Sequence, residues 1–188
     1  MSAIKGFSLV GGTALSLRYG HRTSIDLDLF CHERFKNSDL VAELKKVFGK
    51  AFVYEGGDSK FGLFCYIDQV KVDIVYYPHL PIAPVTTEDT IRMYDSKDIV
   101  AMKVQAILGR GKKKDFWDVA ELLQHFSVKQ FIELHDQKFP DQMLLISIPQ
   151  ALTYYDDAEQ SEDPVSLKGQ TWESVKKTIS QKVSDYLK

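Results

Sequence analysis

Apolar and polar positions follow two different rhythms along the chain. Residues 7–10 make a short apolar run that ends at Gly11-Gly12, and residues 25–30 then alternate with a period of two. On such a strand Ile25, Leu27 and Leu29 share one face, and Asp26 and Asp28 share the other. Between them, residues 13–19 read as a short helix. The Thr13 hydroxyl is placed to cap its first turn and Gly20 to stop it. Residues 38–48 (SDLVAELKKVF) repeat at helical spacing, with Leu40, Leu44, Val47 and Phe48 on one side and Ser38 as the cap. Two further strands are expected at 61–67 and 70–77. They are joined through Asp68-Gln69, where a tight hairpin favours glycine at the second position. Pro78, Pro81 and Pro84 mark an extended connection.

Near residue 90 the rhythm becomes helical. Residues 96–108 carry Val100, Val104, Ile107 and Leu108 on a buried stripe, and residues 114–126 carry Phe116, Val119 and Leu123. Further helices are expected over 128–138 and 171–187. The intervening stretch YYDDAEQSEDP (154–164) reads as an acidic loop: a solvated connection, a shield for the basic residues, or a partner contact. The expected class is α+β. Residues 1–90 form a small mixed β-sheet core with flanking helices, and a helical region, residues 91–188, packs on it.

Composition narrows the function classes. The chain has 188 residues, 44% of them hydrophobic and 27% charged, with a net charge of −2. A polyanion site must therefore be a local patch. Two cysteines without framework spacing, Cys31 and Cys65, suit a reducing compartment. The N-terminal residues lack the apolar stretch of a signal peptide, and no window approaches a membrane span. A cytoplasmic protein without membrane contact is expected.

The chemistry gathers around aspartates. Asp73 lies between Val72 and Ile74, so it projects from one face of its strand. If strands 25–30 and 70–77 are neighbours, Asp26, Asp28 and Asp73 converge, and their mutual repulsion calls for a cation. Oxygen ligands without histidine or thiolate suit Mg²⁺ or Mn²⁺. The alternative is an ordinary solvated strand face. Gly11-Gly12-Thr13, between a strand and a helix, shifts the balance, because glycines there let backbone N–H groups approach a phosphate. The run GRGKKKD (109–115) is the dense basic patch. Lys103 and Arg110 are two turns apart on one helix face and would reach a triphosphate. Lys112, Lys113 and Lys114 either attract a polyanion or form a solvated loop. Asp115 and Asp118 serve equally well as structural partners of Lys114 or Arg110, or as base or acceptor ligand. Arg22 would touch phosphate or pair with Asp28 or Asp115, and His21 reads as a turn residue.

Taken together, GGTAL…HRTSIDLDLF, VKVDIVYY and KDIVAMKVQAILGRGKKKDFWDVAELL resemble the AbiEii/AbiGii toxin branch of the DNA polymerase β-like nucleotidyltransferases. The likeness covers about residues 9–125. It implies transfer of NMP from an NTP with two divalent ions. Asp26, Asp28 and Asp73 would be the metal ligands, and Asp73 would also orient the acceptor hydroxyl. Gly11, Gly12 and Thr13 would cradle phosphates. Arg22, Lys103 and Arg110 would bind nucleotide, Lys103 also acting in catalysis, and Lys114, Asp115 and Asp118 would stand behind them or meet the acceptor. The acceptor implied is RNA, a tRNA end first, and the partner a cognate antitoxin. A small-molecule or protein acceptor, or a non-catalytic nucleotide-binding module, are the alternatives. Such proteins usually carry a helix before the first strand, which here starts within ten residues of Met1.

Overall fold

The computed structural model describes residues 4–57 and 59–188. Strand β1 (Ser8–Val10) runs directly into helix α1 (Gly11–Tyr19), and the chain returns antiparallel to β1 as β2 (Leu27–Cys31). Helix α2 (Asn37–Phe48) leads to β3 (Phe52–Val53) and to a hairpin of β4 (Gly62–Ile67) and β5 (Val70–Tyr76). A second hairpin, β6 (Thr86–Glu88) and β7 (Ile91–Met93), precedes the helices. These are α3 (Ser96–Gly109), α4 (Lys113–Leu122), α5 (Val128–Lys138), α6 (Ile148–Leu152), α7 (Asp156–Glu159) and α8 (Trp172–Tyr186). Among the described residues the strands form one mixed seven-stranded sheet in the order β3-β4-β5-β2-β1-β7-β6. The expected α+β class is the one adopted.

Strands β2 and β5 are neighbours. They run parallel, with Asp28 in register with Asp73. Leu63 and Cys65 of β4 and Val72 and Ile74 of β5 pack under α2 against Leu40 and Leu44. Burying each aliphatic side chain is worth about 1.5–3 kcal/mol. A slip of one residue would expose them all, so the register is held, and it sends Asp73 to the opposite face. A larger core joins α1 to the helices, including Leu9, Ala14, Leu15, Ile99, Phe116, Trp117, Trp172 and Ile179. This core crosses the boundary expected near residue 90. Beyond that boundary, Met93 of β7 pairs with Leu9 of β1. The proline-marked connection is fastened to α3: the buried Asp98 carboxylate accepts the Ile82 and Ala83 N–H groups and pairs with Lys138 of α5 at 2.6 Å.

Several local details depart from the sequence pattern. Strand β2 begins at Leu27, so Ile25 and Asp26 belong to the loop before it, and Ile25 is 71% exposed. Thr13 caps no helix, because α1 already begins at Gly11 without a side-chain cap. Its hydroxyl instead donates to the Asp26 carbonyl and meets the Ser24 hydroxyl at 2.8 Å, tying that loop to α1. Ser38 likewise lies inside α2, which starts at Asn37, and its hydroxyl donates to Asp39. Gly20 does end α1, at φ 57°. The acidic loop contains α7, and β6, β7 and α6 were not expected.

Candidate active site

Asp28 and Asp73 come together on neighbouring strands, with Asp28 against the start of α1. Gly11 sits at φ +71°, and a Cβ there would lie 2.9 Å from Asp28 Oδ2. Glycine is therefore required on both backbone and steric grounds. Burial pushes the Asp28 carboxyl above its usual range, the Asp73 charge beside it adds to the rise, and Lys103 and Lys71 pull against it. Asp73 pairs with Lys71 through one oxygen, while its other oxygen, Oδ1, is buried without a hydrogen-bond partner. Asp26 is turned toward Lys114, 3.9 Å away. Among the described residues no three His, Cys, Asp or Glu side chains are gathered as a metal site. The donor set at Asp28 and Asp73 nevertheless fits a hard cation: two adjacent carboxylates, one raised by burial and by its neighbour and one with an unused oxygen.

Behind this pair lies a buried ionic cluster. Asp118 accepts Arg22 through Nε at 2.7 Å and Nη2 at 2.9 Å, takes His21 Nε2 at 2.7 Å, and pairs with Lys103 at 2.5 Å. Lys103 also reaches Asp115 at 3.0 Å, and the mostly exposed Arg110 joins Asp115 at 3.3 Å. Burial alone would neutralise these groups. The Lys103 charge, His21 and Arg22 outweigh it at Asp118 and hold that carboxyl well below the usual range. Lys103 and Arg110 do the same at Asp115. For Lys103, burial is outweighed by Asp118 and Asp115, which hold the ammonium above its ordinary value. Arg22 thus pairs with Asp118 rather than with Asp28 or Asp115. Gly12 makes room for it, since a Cβ there would collide with the Arg22 guanidinium. His21, expected as a turn residue, is fully buried in this cluster. The only sequence signal for it was its place beside Arg22 ahead of the aspartate strand.

Beside Asp26 a cavity of about 540 Å³ is lined by Arg22, Ser24, Asp26, Lys112 and Lys114 on one side and by residues 160–164 on the other. The second wall is held in place by Lys113, which pairs with Asp163 at 2.8 Å and whose N–H donates to the Ser161 hydroxyl. Beyond it the chain bridges back to the loop between α1 and β2: Thr23 N–H donates to Val165 C=O and Leu167 N–H to His21 C=O, both at 2.9 Å. The acidic stretch is therefore a wall of the cavity, a role that charge alone could not reveal. Of the basic run, Lys113 is committed to that wall, Lys114 faces Asp26, and Lys112 is exposed at the cavity.

The family model described as nucleotidyl transferase AbiEii toxin, type IV toxin–antitoxin system, matches residues 4–186. The chain belongs to this AbiEii family. An uncharacterised protein of Aquifex aeolicus is 32% identical over 189 residues, covering 96% of this chain and 88% of that protein. The AbiEii fold is also that of a candidate nucleotidyltransferase from Helicobacter pylori (TM-score 0.60, 19% identity, 100% of this chain and 94% of that one). MenT4, a nucleotidyltransferase toxin of Mycobacterium tuberculosis, has a similar fold (TM-score 0.58, 14% identity, 95% and 75% covered). Among the described residues no helix is long and apolar enough to cross a membrane.

Proposed function

We propose that this AbiEii nucleotidyltransferase transfers NMP from an NTP to a terminal hydroxyl of an RNA, releasing pyrophosphate, with tRNA first in line, as the toxin of a toxin–antitoxin pair in the cytoplasm. The observation that carries the reading is the register of Asp28 with Asp73 beside Gly11 at the mouth of α1. Asp28 and Asp73 would hold a divalent cation such as Mg²⁺ or Mn²⁺, with Asp26 joining from its loop. Bound there, the cation supplies charge neutralisation for an in-line displacement at the α-phosphate. The protein's own groups do the rest. The N–H groups of Gly11, Gly12 and Thr13 open α1 without a side-chain cap and would donate to phosphate oxygens. Lys114 and Lys112 offer cations to the triphosphate from across the cavity. Asp73 orients the attacking hydroxyl. Lys103, Arg22, Asp115 and Asp118 act from behind, fixing the loop that carries Asp26.

The test is transfer from each α-labelled NTP to total cellular RNA in the presence of Mg²⁺. Label is expected on a discrete RNA and is expected to vanish, by at least about 10³-fold, in Asp28→Asn and Asp73→Asn. Absence of transfer to RNA, protein and small molecules alike would overturn the enzyme reading and favour a binding module. A second acceptor class, a small cationic molecule, draws support from exposed Glu162 on the cavity wall. Label on such a compound but not on RNA would select it. Induction in a bacterium is expected to slow growth, and a co-expressed antitoxin or Asp28→Asn to restore it.

A further inference from the structure

The sheet face that carries Asp28 and Asp73 is open beyond them. Residues paired across neighbouring strands point to the same face. The register aligns Asp28, Asp73 and Phe64 in one row across β2, β5 and β4, and Lys71, Tyr66 and Val53 in the next across β5, β4 and β3. The opposite face of β4 and β5 is the one buried under α2. On the open face Phe64 and Tyr66 are each 49% exposed and Val53 is 50% exposed. A solvated strand face ordinarily alternates to polar residues. Here it presents two aromatic rings and a valine, flush with the catalytic carboxylates.

We infer that Phe64 and Tyr66 form a stacking platform for the unpaired end of an RNA acceptor, delivering its terminal hydroxyl to Asp73. The inference rests on the RNA-transfer reading and adds the surface that takes the strand. Three features select this occupant. The rings adjoin the carboxylates directly: Phe64 is the cross-strand partner of Asp73, and strands lie about 4.8 Å apart, within the span of one nucleotide. Lys71, the cross-strand partner of Tyr66, is exposed and paired with Asp73, so a cation engaging Asp73 would release it to a phosphate backbone, whereas an apolar protein surface would have to bury Lys71, Asp73 and Asp28 with it. Flat rings accept any base by stacking, without base-edge readout, but only when the base is unpaired.

The test measures binding separately from chemistry. The full-length chain is titrated into a fluorescein-labelled, unstructured twelve-nucleotide RNA with a free 3′ end, and anisotropy is read. Phe64→Ala/Tyr66→Ala is expected to weaken binding about tenfold or more. Phe64→Tyr and Tyr66→Phe are expected to retain it, and a blunt duplex of the same sequence to bind more weakly than the single strand. Both positions are half exposed, and an unchanged melting temperature would verify the double variant's fold. Wild-type affinity in the double-alanine variant overturns the platform, as does a dimer that the variant dissolves without change in RNA affinity. Loss of transfer in Asp28→Asn with RNA binding intact supports the platform independently of catalysis. Failure of the wild type to bind single-stranded RNA overturns both this inference and the RNA acceptor. Ring-dependent binding without transfer by the wild type keeps the platform and removes the activity.

Discussion

At the scale of single residues, Asp28 is a carboxylate kept partly buried at a cost in stability. Its carboxyl is raised by burial and by Asp73. The folded protein therefore holds the proton more tightly than the unfolded chain does. Stability falls as pH rises through the window from the ordinary value of 3.8 up to the raised one. Asp28→Asn removes that penalty. Its melting temperature is expected to exceed the wild type's at pH 7 by roughly 2–4 °C per kcal/mol relieved. The gap should close below pH 3.8, as scanning calorimetry across pH would show. Added Mg²⁺ should raise the wild type and leave the variant behind. That Asp28 and Asp73 share a face follows from their alternation with apolar neighbours once the two strands pair, whereas Asp26, expected to converge with them, lies in the loop before β2. The Asp115–Arg110 pair was among the sequence's alternatives, but the burial of Lys103 between Asp115 and Asp118 was not. A helical stripe shows which positions lie near its edge but not that charges there are balanced by Arg22 and His21 from a distant loop.

At the scale of elements, the two hairpins explain both a success and a miss. Asp68-Gln69 and Asp89-Thr90 have φ of 49°, 67°, 47° and 70°, the left-handed pairs that tight hairpin turns require. Neither turn contains glycine. Long alternating strands made the first hairpin readable despite its turn. The second has only three residues on each side, so its pattern was lost. Thr90 is β-branched and exposed, and pays for this backbone with nothing packed in return. Thr90→Gly is expected to stabilise the protein by about 1 kcal/mol, read as a higher urea midpoint at unchanged slope. Helix α6 was readable in principle: Ser147 and Gln150 make a capping box around Pro149, the pattern that starts a helix.

At the scale of the whole molecule, Asp118 joins the sheet half to the helical half. It sits on α4 and takes its partners from α3 and from the loop between α1 and β2. Asp118→Asn would leave buried Lys103 and Arg22 short of a counter-charge, at about 3–5 kcal/mol. Chemical denaturation at pH 7 would measure the loss. The wild-type carboxyl is depressed, so its contribution is complete above the ordinary value of 3.8 and fades as pH falls through the lower folded value. Acid should therefore weaken the wild type more than the variant. The same loop is fastened on its other side by the bridge between Arg22 and Ser166, which spans most of the chain. Closing so long a loop is slow, and synthesis proceeds from the N-terminus. The strands that carry Asp28 and Asp73 are made first, and the segment that walls the cavity and fastens the loop before β2 leaves the ribosome after them. The cavity is therefore complete only after a segment far downstream of the sheet strands has docked.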